Sequence, residues 1–323
     1  MANPVNLHEF KSDFNLLVKE TADYFGIREV FIEKDYWITR VLKHLAHSKY
    51  SGEVVFKGGT SLSKGYKLID RFSEDIDIAV INESGMTGNR LKTLIRSVEK
   101  TISVDLTEVY THGVTSKGSQ FRKSVFTYPV SDDARLYQGL SNKLIIEINS
   151  FANTNPYVNL KIKFLISEFL ESSAGQDLIE KYDLQAFNIN ILDKRRTLIE
   201  KIVSLIRFSF SENPIVSISE KVRHFYDIYY LLIDTECKSY LGSEDFIRDI
   251  TELFKHDRTV FNEPNGWRQK PIIQSPLITD FDNFWKSIKV VYARELTKLA
   301  FNEIPNEEII AKSFKQVINR LKF

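Results

Sequence analysis

The sequence predicts an α+β protein in two parts, a mixed α/β domain followed by a mainly helical one. Three observations carry this expectation. Short runs rich in Val, Ile and Phe recur up to about residue 165, at strand length. After about residue 175 apolar residues return every three or four positions, the period of a helix. The length of 323 residues also suits two domains at ~100–200 residues each.

In chain order, Leu7, Phe10, Phe14 and Leu17 form an amphipathic helical stripe, and a second helix is expected over 28–46 with Ile38, Val41, Leu42 and Leu45 inward. The β-branched run 53–56 ends abruptly at Gly58-Gly59; Thr60 and Ser61 follow as helix-cap residues, with a short helix over 62–68. Residues 76–80 read as a strand carrying polar residues on one face. A helix over 89–101 separates it from strands at 104–110, 121–130 and 143–149, with a further one at 157–165. Helical patterns then cover 194–210, 219–233, 243–255, 282–299 and 309–321, and 262–271 is an irregular loop. The two parts are divided as 1–185 and 186–323.

Hydrophobic residues make up 43% and charged residues 27%, which excludes a disordered chain. One cysteine, Cys237, excludes a disulfide framework and a cysteine-rich zinc site and fits a reducing compartment. The formal net charge is +1 and neither part is strongly basic, so a nucleic-acid contact needs a local patch. No apolar signal core and no run of ~18 apolar residues is present, which points to a cytoplasmic protein with no membrane partner.

The chemistry concentrates in Phe56-Lys-Gly-Gly-Thr-Ser-Leu-Ser-Lys-Gly-Tyr66 and Arg71-Phe-Ser-Glu-Asp-Ile-Asp-Ile78. Gly58 and Gly59 let backbone approach a ligand, and N–H groups at a helix start attract phosphate; the Thr60 and Ser61 hydroxyls can add to the same oxygens. Such a turn alone is a weak signal, because many strand-to-helix turns are glycine-rich for steric reasons. Asp75 and Asp77 are two apart in a strand, so both leave one face while Ile76 and Ile78 enter a core. Two nearby carboxylates repel unless a cation neutralises them, and hard oxygen donors suit Mg²⁺. Solvating acids at a strand end would be the bland explanation. Glu147 interrupts an apolar strand and is a third candidate ligand, completing the kind of cage that holds two Mg²⁺ ions in nucleotidyl transfer.

Gly58-Gly-Thr-Ser-Leu62 together with Arg71-Phe-Ser-Glu-Asp-Ile-Asp77 resembles the nucleotidyltransferase motif of the AbiEii/AbiGii toxin family, in the DNA-polymerase-β-like superfamily. Glu33-Lys-Asp-Tyr-Trp-Ile-Thr39 resembles the segment preceding it. Glu200-Lys201 with Arg207, then Lys221-Val-Arg-His-Phe-Tyr-Asp227, is similar to the family's helical motifs, except that His224 stands where members commonly carry an acid. The resemblance spans about residues 28–235. It implies a nucleotidyltransferase-fold mixed sheet with flanking helices and a helical domain completing the active-site cleft. It further implies Asp75 and Asp77 as metal ligands with Ser73 beside them, and Lys201 and Asp227 as active-site residues. Family members are toxins of type IV toxin–antitoxin systems or their relatives, and some transfer nucleotides to the acceptor end of tRNA.

Lys201 could neutralise a leaving pyrophosphate and so bind NTP, or could be a solvated lysine paired with Glu200; Asp227 could simply pair with Arg223. Lys194, Arg195, Arg196 and Arg207 form a basic strip that could follow RNA, although a charged helix face is commoner. The leading function is therefore Mg²⁺-dependent transfer of NMP from an NTP to a polynucleotide, with tRNA as the implied acceptor and a cognate antitoxin as partner. Modification of a small-molecule or protein hydroxyl, and a non-catalytic regulator on the same scaffold, are the alternatives. The intact Asp75/Asp77 pair argues against the last.

Overall fold

The computed structural model describes residues 5–73, 75–82, 85–130 and 142–322. The chain forms two compact units. The first takes the chain up to Gly65 and again, after a break, on to Leu192. The second takes Tyr66–Ser73 and everything from Asp193.

The first unit is built on a mixed sheet that has eight strands among the described residues. These are β1 (Val54–Lys57), β2 (Asp75–Val80), β3 (Thr107–Val109), β4 (Ser116–Lys117), β5 (Phe121–Thr127), β6 (Lys143–Asn149), β7 (Tyr157–Ile162) and β8 (Phe187–Leu192). Their order is β3-β5-β6-β2-β1-β8-β7, with β4 following β3 along the same edge of β5. β2 lies at the centre, antiparallel to β1 and parallel to β6, and β1 runs parallel to β8. Alternation fixes the faces. Ile76, Ile78, Leu144, Ile146 and Ile148 are fully buried, whereas Asp75, Asp77 and Glu147 are half-buried on the opposite side.

Helix Gly88–Ile102 buries Leu91, Leu94, Ile95, Val98 and Ile102 at helical spacing. Its Glu99 is buried as well and accepts from Arg122 Nε at 2.8 Å, from Arg122 Nη2 at 2.5 Å and from Ser124. A buried carboxylate is tolerated because both of its oxygens find donors. Helix Lys11–Phe25 stops at Gly26, whose left-handed φ of 67° suits a residue without a Cβ. Helix Glu29–Ala46 is enclosed nearly all round, so its charged residues need partners. Asp35 accepts from Lys64 Nζ at 2.5 Å and from the Leu165 N–H at 2.9 Å, while Lys64 also donates to the Lys163 carbonyl at 2.7 Å. The motif segment 33–39 thereby holds the end of the short helix Gly58–Lys64 that follows β1.

The second unit is helical, as expected: Lys194–Phe208, Pro214–Ser219, Arg223–Ile233, Thr235–Gly242, Glu244–Val260, Pro276–Thr279, Phe281–Leu299 and Glu307–Arg320. Asp193, Asn213, Asp234, Ser243, Ser275 and Asn306 cap helix starts with their side chains. The core centres on Phe225, whose ring lies 4.7 Å from Phe314 and 5.2 Å from Trp285. In loop 262–271 Trp267 is buried and donates through Nε1 to the Phe261 carbonyl at 3.0 Å.

Two features depart from the expected division. β8 is an interior strand between β1 and β7, so the first unit runs to Leu192 rather than to 185. Residues 66–73 join the helical unit, where Phe72 N donates to Leu299 O and Phe301 N donates to Asp70 O, each at 2.8 Å. The expected strand at 104–110 shortens to β3, and the helices Leu165–Ser172 and Gln176–Lys181 were not anticipated.

Candidate active site

β2 carries Asp75 and Asp77 on one face of the central sheet, as the two-residue spacing requires. Register brings further charges into line with Asp77. It pairs with Lys57 across β1 and with Glu147 across β6, and Glu147 in turn pairs with Lys123 across β5. Directly opposed strand residues share a face, so Lys57, Asp77, Glu147 and Lys123 form one lateral row. The Lys123 ammonium lies 3.4 Å from Glu147 Oε2.

The glycine turn is fitted to this row. Gly58 has a φ of 80°, which glycine adopts without strain. A Cβ placed there would overlap Asp77 Oδ2 and come within 2.9 Å of its Cγ. Gly58→Ala is therefore expected to cost about 1–2 kcal/mol from backbone strain and to displace the Asp77 carboxylate. Urea unfolding and a transfer assay check the two effects separately; an unperturbed rate would show that the close approach is unimportant.

Several expected contacts are redistributed. The Thr60 hydroxyl donates to the Asp75 carbonyl and the Ser61 hydroxyl to the Gly58 carbonyl at 2.8 Å. Both side chains are buried, so they brace the turn and β2. Gly59 is buried in the same turn, and Ser73 is buried in the segment that belongs to the second unit. No group of three or more acidic, His or Cys side chains among the described residues is preassembled as a metal cage. The donor set nevertheless fits a hard divalent cation: two carboxylates on one strand face, one of them beside a third across β6.

In the second unit Asp227 is fully buried. It accepts from Arg71 Nε at 2.7 Å and Nη2 at 2.6 Å, and Lys201 Nζ lies 2.7 Å away. Arg71 Nη1 also donates to the Phe72 carbonyl at 3.1 Å. Neither expected local pairing, Asp227 with Arg223 or Lys201 with Glu200, is the one that buries these charges. Arg71 lies within the sequence motif, and its role as the main partner of Asp227 is visible only in the structure. Burial would raise the Asp227 carboxyl, but Arg71 and then Lys201 overcome it and hold the group well below the usual carboxylate range.

The His224 ring lies beside this cluster. Its Nδ1 is enclosed without a hydrogen-bond partner among the described residues, and burial, followed by Lys201 and Lys221, lowers its affinity for a proton. Both groups make the unfolded chain bind protons first as pH falls, His from ~6.5 and Asp from ~3.9, so stability drops with acidification. His8 of the first unit, lowered chiefly by burial, acts in the same direction. His224→Gln is expected to lose less stability than the parent between pH 7 and 5.5, measured by urea unfolding at each pH. An unchanged slope would contradict this assignment.

The residues of the basic strip are engaged in ion pairs or buried. Lys194 pairs with Asp234 at 2.8 Å and Glu236 at 3.0 Å, and Arg195 with Asp193 at 2.8 Å. Arg196 is buried. Arg207 lies 3.3 Å from Asp257 and 4.0 Å from the Phe261 ring centroid, where it anchors the 262–271 loop. The charge of Lys194 and Arg207 is largely satisfied inside the helical unit by acids remote in sequence, that of Arg195 by its near neighbour Asp193, and Arg196 is enclosed there.

The family profile described as "Nucleotidyl transferase AbiEii toxin, Type IV TA system" matches residues 40–320. Among solved structures, the chain is similar to MenT4, a nucleotidyltransferase toxin from Mycobacterium tuberculosis, at 14% identity and a TM-score of 0.48, over 95% of this chain and 97% of that one. It is also similar to an antigenic nucleotidyltransferase-like protein from Paracoccidioides brasiliensis, at 12% identity and a TM-score of 0.33, over 69% and 89% of the two chains. No curated protein sequence matches. The family profile spans most of the chain, and the protein belongs to the AbiEii nucleotidyltransferase toxins of type IV toxin–antitoxin systems.

Proposed function

We propose that the protein transfers NMP from an NTP to a polynucleotide, with tRNA as acceptor, using Mg²⁺ held by Asp75 and Asp77 with Glu147 alongside. The observation that carries the reading is the placement of both aspartates on one face of the central strand, with Gly58 packed against the Asp77 carboxylate. Bound there, Mg²⁺ would neutralise charge on the attacking and leaving oxygens of an in-line displacement, two ions being the usual complement. The Gly58-Gly59 turn presents backbone to the phosphates, and Thr60 fixes the β2 backbone that carries Asp75. An acceptor hydroxyl oxygen forms the new bond to Pα, the Pα–Oβ bond breaks, pyrophosphate leaves and the hydroxyl proton is released.

Lys201 and Asp227 act as positioning residues in this reading. They and Arg71 fix residues 70–72, which with Ser73 precede β2 in the chain. The remaining partners follow from the family: NTP as substrate, a cognate antitoxin, and a cytoplasmic setting. No helix among the described residues is long and apolar enough to cross a membrane. Incubation with each α-labelled NTP, total cellular RNA and Mg²⁺ tests the reading. Label is expected in the tRNA fraction and is expected to vanish with EDTA; label in protein or small molecules instead would reassign the acceptor.

A further inference from the structure

The lateral row Lys57–Asp77–Glu147–Lys123 places one lysine residue outside each of two adjacent acids. Two acids on neighbouring strands repel each other, and a lysine on either flank offsets that repulsion. The row is therefore neutral as it stands. A neutral row attracts a free dication much less than a bare carboxylate pair would, because the ion must displace or face two ammonium groups. A metal–nucleotide complex is different. It brings a cation for the carboxylates and, on the same ligand, a polyphosphate for the ammonium groups.

We infer that Lys57 and Lys123 make the carboxylate row selective for the metal–nucleotide complex over the free metal ion. The inference rests on the metal and nucleotide reading of this face proposed above. Lys123 is the sharper probe, since its ammonium already lies 3.4 Å from Glu147 and both side chains keep partial exposure, which leaves room for substitution.

The test measures two affinities of the full chain at low ionic strength. Free Mn²⁺ is titrated without nucleotide by electron paramagnetic resonance. Mg²⁺ with each α,β-methylene NTP analogue is titrated by calorimetry. Lys123→Met is expected to bind free Mn²⁺ about three- to tenfold more tightly and the metal–nucleotide complex about three- to tenfold more weakly, both differences shrinking as salt is raised. Lys123→Gln, which keeps a polar end, should change both in the same directions, and Lys57→Met should repeat the pattern from the other flank. Changes of the same sign in both affinities, or no change in a folded variant, would overturn the inference. Asp77→Asn separates this from failure of the underlying reading: retained Mn²⁺ and nucleotide binding in that variant would remove the site itself. Its loss there with unaltered lysine variants would remove only the selectivity.

Discussion

Asp77→Asn is expected to abolish nucleotidyl transfer, by about three orders of magnitude or more in single-turnover rate, while the protein stays folded. Asparagine keeps the shape that Gly58 packs against, so the turn suffers no steric change. It also removes one of two adjacent like charges on neighbouring strands, which favours the fold in the absence of metal. What disappears is a hard anionic ligand at the centre of the row. Rate and unfolding midpoint measured on the same preparation check this. Parental transfer by a folded Asp77→Asn protein would remove the carboxylate from the chemistry.

Asp227→Asn is expected to act on stability. The carboxylate is fully buried and carries two cations, Arg71 through paired hydrogen bonds and Lys201 at 2.7 Å. Neutralising it leaves two buried positive charges with no counter-charge between them. Breaking a buried ion pair from one side typically costs about 3–5 kcal/mol, against a small total stability. Urea unfolding should report a loss of that order. Lys201→Met combined with Asp227→Asn should recover part of it, because the second change removes one stranded charge. The cycle should therefore be strongly non-additive. A loss below about 1 kcal/mol for Asp227→Asn would show that the cluster tolerates its surplus charge.

The division of the chain was legible where period and chemistry are local. β2 could be read because Asp75 and Asp77 alternate with Ile76 and Ile78, and alternation alone decides which face each side chain leaves. Helices such as Phe281–Leu299 and Glu307–Arg320 announce themselves by their apolar stripes. Pairings between distant segments were not legible. That Lys123 stands opposite Glu147, or that Asp35 holds Lys64, depends on strand register and helix packing, which no spacing within either segment encodes. The ion pairs of the basic strip were hidden for the same reason. Lys194 and Arg207 look free in sequence because Asp234 and Asp257 lie 40 and 50 residues away. β8 was missed although Phe187-Asn-Ile-Asn-Ile-Leu192 alternates apolar and polar residues as β2 does; only its place between β1 and β7 is beyond its own pattern.

The Asp75–Asp77 face is the centre of the account, and anomalous scattering addresses it most directly. Crystals grown with Mn²⁺ and an α,β-methylene NTP should show an anomalous peak within about 2.5 Å of carboxylate oxygens of both aspartates, with nucleotide phosphates beside the Gly58-Gly59 turn. An ordered nucleotide and its Mn²⁺ bound elsewhere, with Asp75 and Asp77 left without metal, would contradict the assignment.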